Sequence, residues 1–132
     1  MNRYLALSAA LLVSLLATFT YAQATRPAVP KIDAEQFDKM RQQPNVVVLD
    51  VRTPHEFAAG HVPDAVNMDI SDPKFRKNLE SLDKSKTYLV HCARGVRSNR
   101  AVNLMASLGV AGLFDYHGGF DDWKKLGKPV AK

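Results

Sequence analysis

The chain has 132 residues, with 18 Lys and Arg against 13 Asp and Glu and a formal net charge of +5. That length holds one domain and excludes a multi-domain organisation, while 46% hydrophobic and 23% charged residues exclude a disordered chain and a polytopic membrane protein. A single cysteine excludes an intramolecular disulfide framework and a multi-cysteine zinc site, and the basic balance favours anionic partners without naming one.

Residues 1–24 have the three-part layout of a secretory signal. Asn2-Arg3 forms a short positive start, 5–19 is an uncharged and mostly apolar run, and Ala22-Gln23-Ala24 is a small-x-small cleavage site. Cleavage after Ala24 is expected, leaving a periplasmic or secreted domain over 25–132. The alternative is an uncleaved anchor, since 4–21 is just long enough to enter a bilayer; without it no membrane contact is expected. No cysteine follows the apolar run, so a lipoprotein anchor is ruled out. Exported proteins tend to pair their cysteines or lack them, so an unpaired Cys92 is either buried and inert or kept for chemistry.

Residues 25–30 carry two prolines and read as an extended lead-in. Asp33 caps a helix, with Gln36 at the reciprocal capping-box position and Ile32 and Phe37 spaced as a hydrophobic staple. Val46-Val47-Val48-Leu49 is a continuous apolar run suited to a strand buried on both faces. Residues 54–59 allow one or two helical turns closed by Gly60, and 65–68 form a weak second strand. Asp72-Pro73 reads as a helix start, followed by Phe75, Leu79 and Leu82 at helical spacing. A third strand covers 87–91. A helix from Val96 places Ala101, Leu104, Met105 and Leu108 on one face and stops at Gly109. Leu113-Phe114 gives a fourth strand, Gly118-Gly119 a turn, and 120–126 a last helix. Strands alternating with helices at this spacing imply right-handed crossovers and a mainly parallel sheet covered on both sides: a single α/β domain.

Ligands bind at the carboxyl ends of the strands in such sheets. Asp50-Val51-Arg52 follows the first predicted strand and Cys92 the third, so their shared edge is the candidate site. A thiol between a strand and a helix faces the amides and positive dipole end of that helix, which favours the thiolate. Gly95 permits a tight loop with inward N–H groups, an anion-binding nest, and Arg94 and Arg97 add positive charge. The competing bland reading makes Cys92 a small buried hydrophobe and the arginines solvated surface charges.

At these residues the chain resembles a single-domain rhodanese of the exported bacterial type, a thiosulfate sulfurtransferase-like protein. The matching positions are Asp50-Val51-Arg52, Glu56, Gly60-His61-Val62-Pro63, Ala65, Asn67, Cys92, Gly95, Arg97-Ser98, Ala101, Gly109, Gly118-Gly119, Trp123 and Gly127-Lys128-Pro129-Val130. Asp64 stands where the family often has Gly. The resemblance implies a five-stranded, mainly parallel sheet with helices on both faces. It also implies an active-site loop from Cys92 to Arg97 whose amides hold a sulfur bound to Cys92. Substrate contacts would come from Arg94, Gly95, Val96, Arg97 and Ser98, with Asp50, Arg52 and Glu56 as scaffold.

The implied reaction is a double displacement. Cys92 takes the outer sulfur of a small anionic donor such as thiosulfate or a polysulfide, and passes it from a persulfide to a thiol or cyanide. A pre-formed thiolate needs no general base, and no cofactor is called for. The rival phosphatase or arsenate-reductase loop, His-Cys-x5-Arg, would need arginine where Ser98 stands. A non-catalytic binding module of the same fold is a second alternative; a thiol exchanger would want a second, resolving cysteine. His55 and His91 lack partners at metal spacing, so no metal is assigned, and His61 reads as a hydrogen-bonded structural residue. Lys74, Arg76, Lys77, Lys84 and Lys86 read as a solvated face rather than a nucleic-acid patch. Trp123 reads as core, and the protein as a monomer.

Overall fold

The computed structural model describes residues 25–132; the expected signal over 1–24 lies outside the described residues. In chain order the elements are β1 (Lys31–Ile32), α1 (Ala34–Met40), β2 (Val46–Asp50), α2 (Pro54–Ala59), β3 (Val66–Asn67), α3 (Phe75–Glu80), β4 (Thr87–His91), α4 (Val96–Ser107), β5 (Leu113–Tyr116) and α5 (Gly119–Lys125). The five strands form one sheet in the order β1-β5-β4-β2-β3, and every pairing is parallel.

Side-chain alternation along the central strands builds two cores. Leu49 on β2 and Val51 just after it, Tyr88 and Val90 on β4, and Leu113 on β5 meet Phe75 and Leu79 of α3 and Ala101, Val102 and Met105 of α4. Val48, Leu89 and Tyr116 face the other way, onto Ala34 and Phe37 of α1 and Phe120 and Trp123 of α5. Each large side chain so buried stabilises the fold by about 1.5–3 kcal/mol. Trp123 is fully buried, its indole N–H donating to the Pro129 carbonyl at 2.7 Å. The expected capping box on α1 is formed, Asp33 accepting from the Gln36 amide and Gln36 from the Asp33 amide.

Three local readings change. Lys31–Ile32, between the extended lead-in over 25–30 and the Asp33 cap, is a fifth strand added beside β5; at two residues it carries no periodicity to detect. Asp72-Pro73 opens a turn rather than the helix. The Asp72 carboxylate accepts from the Lys74 amide at 2.8 Å, the Phe75 amide closes a turn onto the Asp72 carbonyl at 2.9 Å, and α3 begins only at Phe75. β5 runs two residues further than Leu113-Phe114, to Tyr116, which carries Asp115 into the sheet.

The register places the site. Asp50 pairs with His91 across β2 and β4, and Val90 with Asp115 across β4 and β5. The carboxyl ends of the three central strands therefore finish at one edge, where the loops carrying Arg52, Cys92 and Gly118-Gly119 emerge.

Candidate active site

Cys92 leaves the end of β4 and α4 starts four residues later, so the intervening chain must turn within Ala93-Arg94-Gly95. Gly95 makes that turn at φ +96, a left-handed conformation that L side chains avoid. A Cβ there would also sit 2.5 Å from the His117 carbonyl oxygen. The turn points the Gly95 amide at the sulfur, N to Sγ 3.1 Å. Burial pushes the Cys92 thiol up, but hydrogen bonds from Ser98 and from the Arg94 and Gly95 amides outweigh it and leave the thiol below its ordinary value.

The outer side of the same loop is anchored to α5. The Phe120 amide donates to the Cys92 carbonyl at 2.8 Å and the Asp121 amide to the Ala93 carbonyl at 3.1 Å. Gly119, at φ +70, lies so close that a Cβ would meet the Ala93 carbonyl oxygen at 2.5 Å. The Gly118-Gly119 turn is thus a docking surface for the cysteine loop as well as a chain reversal.

Below the loop, the buried Asp50 and Arg52 are paired. Asp50 accepts from the Arg52 backbone amide, Nε and Nη2, the last at 2.7 Å, and Nη2 also reaches the Gly60 carbonyl at 2.8 Å. Asn67 on β3 donates to the carbonyls of both Asp50 and Arg52, and the Arg52 guanidinium lies 4.2 Å from the Phe120 ring centre. Charges persist in a core when they are paired in this way. His91 is fully buried beside them, its Nε2 3.7 Å from Asp50 Oδ2, and burial lowers its pKa so that it stays neutral. His61 stacks on Phe57 with ring centres 3.8 Å apart, its Nδ1 2.9 Å from the Phe57 carbonyl.

A cavity of about 440 Å³ opens over the sulfur, lined by Glu56, Cys92, Ala93, Arg94, Val96, Arg97 and Asp121. Both arginines are already engaged. Arg97 makes a two-pronged pair with Glu56 at 2.8 and 2.9 Å, and Arg94 Nε meets Asp121 at 2.9 Å. Arg97 is the main cause holding the Glu56 carboxyl at about 2, against desolvation and helped by the Thr53 amide and hydroxyl. The Arg94 side chain is 85% exposed, so its pair is a weak one. Ser98 is buried, its hydroxyl turned to Cys92, Asp115 and the Gly95 carbonyl.

A protein-family model for the rhodanese-like domain matches residues 33–126. The chain belongs to the rhodanese-like family. It is 30% identical over 94 residues to the thiosulfate sulfurtransferase GlpE of Pseudomonas syringae pv. syringae, covering 71% of this chain and 86% of that one. It is 34% identical over 103 residues to an uncharacterized protein of Synechocystis, covering 76% of this chain but only 55% of that longer protein. A rhodanese-related protein of Thermoplasma volcanium superposes with a TM-score of 0.67 at 33% identity, covering 77% of this chain and 97% of that one.

In this rhodanese-like domain the fold brings Cys92, Arg94, Val96, Arg97 and Glu56 to one cavity, and pairs Asp50 with Arg52 in the core nearby; Gly95 is buried and does not line the cavity, though its amide reaches the sulfur. Ser98 belongs to the layer behind the sulfur rather than to the cavity wall. Sequence reasoning missed Asp121, the partner of Arg94, because nothing in a helical i, i+1 acidic pair signals a contact 27 residues away. It also missed Asp115. There a signal existed: an acidic residue between Phe114 and Tyr116, at the carboxyl end of a buried strand, is a polar group that must be paired or used.

Proposed function

We propose that the chain is a sulfurtransferase that moves a sulfane sulfur from thiosulfate or a similar donor, through a persulfide on Cys92, to a thiol or cyanide. The observation that carries this reading is the Cys92 sulfur at the floor of the cavity, receiving the Gly95 amide at 3.1 Å. Such a nest stabilises negative charge on sulfur. In the first half-reaction the Cys92 thiolate attacks the outer sulfur of thiosulfate. A new S–S bond forms, the donor S–S bond breaks, and its electron pair leaves with sulfite. In the second, an acceptor thiolate or cyanide attacks the outer persulfide sulfur and returns the thiolate to Cys92. The loop amides hold the charge on the transferred sulfur, the remaining N–H groups of Arg97 face donor oxygens, and Arg94 guides the anion by leaving a weak surface pair.

The phosphatase reading loses ground because the position its arginine would need is Ser98, whose hydroxyl is committed at 2.7 Å to Asp115. Export and cleavage after Ala24 belong to the same proposal, as does a monomeric working form; N-terminal sequencing of the chain from an envelope fraction should begin at Thr25. The deciding experiment is intact mass before and after thiosulfate, then after cyanide, alongside Cys92→Ala. Gain of one sulfur on the wild type alone, released as thiocyanate, is the expected result. No gain with Cys92 still alkylatable would refute thiosulfate as the donor.

A further inference from the structure

Behind the cysteine lies a buried polar chain that the proposed mechanism does not use. Cys92 Sγ is 3.7 Å from Ser98 Oγ, and Ser98 Oγ is 2.7 Å from Asp115 Oδ1. Three elements supply it: the end of β4, the first turn of α4, and β5. Asp115 is fully buried, and its other oxygen, Oδ2, has no hydrogen-bond partner. A carboxylate left half-satisfied in a core is costly unless it is neutralised or used.

The Ser98 hydroxyl has one hydrogen. With Asp115 ionised, that hydrogen lies on the short contact to Oδ1, and Ser98 offers only a lone pair to the sulfur, so Cys92 is held as the S–H donor. With Asp115 protonated, the carboxylic O–H donates to Ser98 Oγ, and the Ser98 hydrogen turns to a thiolate. One proton displaced along the chain relates the two arrangements. The S–H bond breaks as an Oγ–H bond forms, and the original Oγ–H bond breaks as an Oδ1–H bond forms, with no co-reactant. We propose that Asp115 is a positioning residue that takes up the Cys92 proton through the Ser98 hydroxyl, so that sulfur and carboxyl share a single negative charge.

The surroundings suit this role. Burial raises the Asp115 carboxyl above its ordinary range, while Ser98, the charge of His117, Asn99 and Lys31 pull the other way. These come from α4, from the end of β5 and from β1. On the sulfur side, Arg97 faces Cys92 from α4, and His91 on β4, neutral by burial, holds the Cys92 carbonyl at 3.1 Å through Nδ1. Among these, His117 is the exposed imidazole at the end of β5, so it is the group a test must separate from Asp115.

The inference rests on Cys92 as the reactive sulfur, but its test reads the thiol and needs no sulfur donor. Iodoacetamide alkylation of Cys92 is followed from pH 4 to 10 in the native chain and in Asp115→Asn, Ser98→Ala and His117→Gln. Coupled sites titrate in two macroscopic steps. The native profile should therefore show two inflections joined by a shallow stretch, changing less than about threefold per pH unit. A lone thiol loses about tenfold per unit below its pKa, and both Asp115→Asn and Ser98→Ala should collapse to that single step. His117→Gln should keep both inflections. A single step in the native chain, two steps surviving in Ser98→Ala or Asp115→Asn, or their loss in His117→Gln overturns the proposal. Far-UV circular dichroism checks folding, and if Asp115→Asn fails to fold, Ser98→Ala and the native profile still decide.

Discussion

Replacing Glu56 by Gln isolates the ion pair that closes one side of the cysteine cavity. Glutamine serves as well as glutamate at the third position of a capping box, so the start of α2 should survive and only the charge on Arg97 is left unmatched. Arg97 and the Thr53 donors hold the carboxyl at about 2 against an ordinary 4.5. For a fully buried group that difference would correspond to about 3 kcal/mol. The Glu56 side chain is 35% exposed, so solvent screening brings the expected contribution to about 1–2 kcal/mol. Because the folded-state value is depressed, this stability is fully present above about pH 4.5 and is lost as the pH falls towards 2. Urea unfolding should therefore find Glu56→Gln less stable by about 1–2 kcal/mol at pH 7, a fall of about 4–8 °C in Tm. By pH 3 the gap should more than halve. A gap that stays constant from pH 7 to 3, or no gap at pH 7, would refute the assignment of Glu56 to Arg97 as a stabilising pair.

Gly95→Ala is expected to fold yet lose at least about tenfold in the rate of Cys92 alkylation at pH 7, because both the left-handed backbone and the His117 carbonyl oppose a Cβ; an unchanged rate would mean the Gly95 amide is not needed at the sulfur. Arg52→Ala leaves Asp50 charged and buried without its partner, so denaturant unfolding should show a loss of about 3–5 kcal/mol. Arg94→Ala should raise the KM for thiosulfate by less than about tenfold with kcat unchanged, as fits an exposed guanidinium that acts on approach; a fall in kcat in steady-state assays would place Arg94 on the reacting atoms instead.

The parts of the fold legible in the sequence were those with local causes. The Asp33 box, the continuous apolar run from Val46, and the helix between Val96 and Gly109 each rest on residues a few positions apart, and each forms. The cysteine loop was legible for the same reason, since Cys92, Gly95 and Arg97 lie within one turn of chain. What stayed hidden depends on register. Lys31–Ile32 becomes a strand only because β5 offers it an edge. Glu56 meets Arg97 across 41 residues only because β2 and β4 pair and end at the same edge, and Asp115 reaches Ser98 only once β5 extends to Tyr116. A one-residue shift of β5 against β4 would turn Asp115 to the opposite face and dismantle the chain to the sulfur.

Each peptide unit carries its carbonyl and its N–H on opposite sides, and the suspension of the cysteine loop from α5 turns this into polarity. With the Cys92 and Ala93 oxygens drawn outward onto the Phe120 and Asp121 amides, the N–H groups of the same two peptide units, those of Ala93 and Arg94, are turned to the opposite side of the loop. On the proposed reading, a preference for an electron-rich guest would depend on how the backbone is hung as well as on the charged side chains at the rim. The same attachment makes α5 the frame of the nest. A change that shifted this helix by a fraction of an ångström would rotate the peptide planes over the sulfur without altering a single residue that touches a substrate.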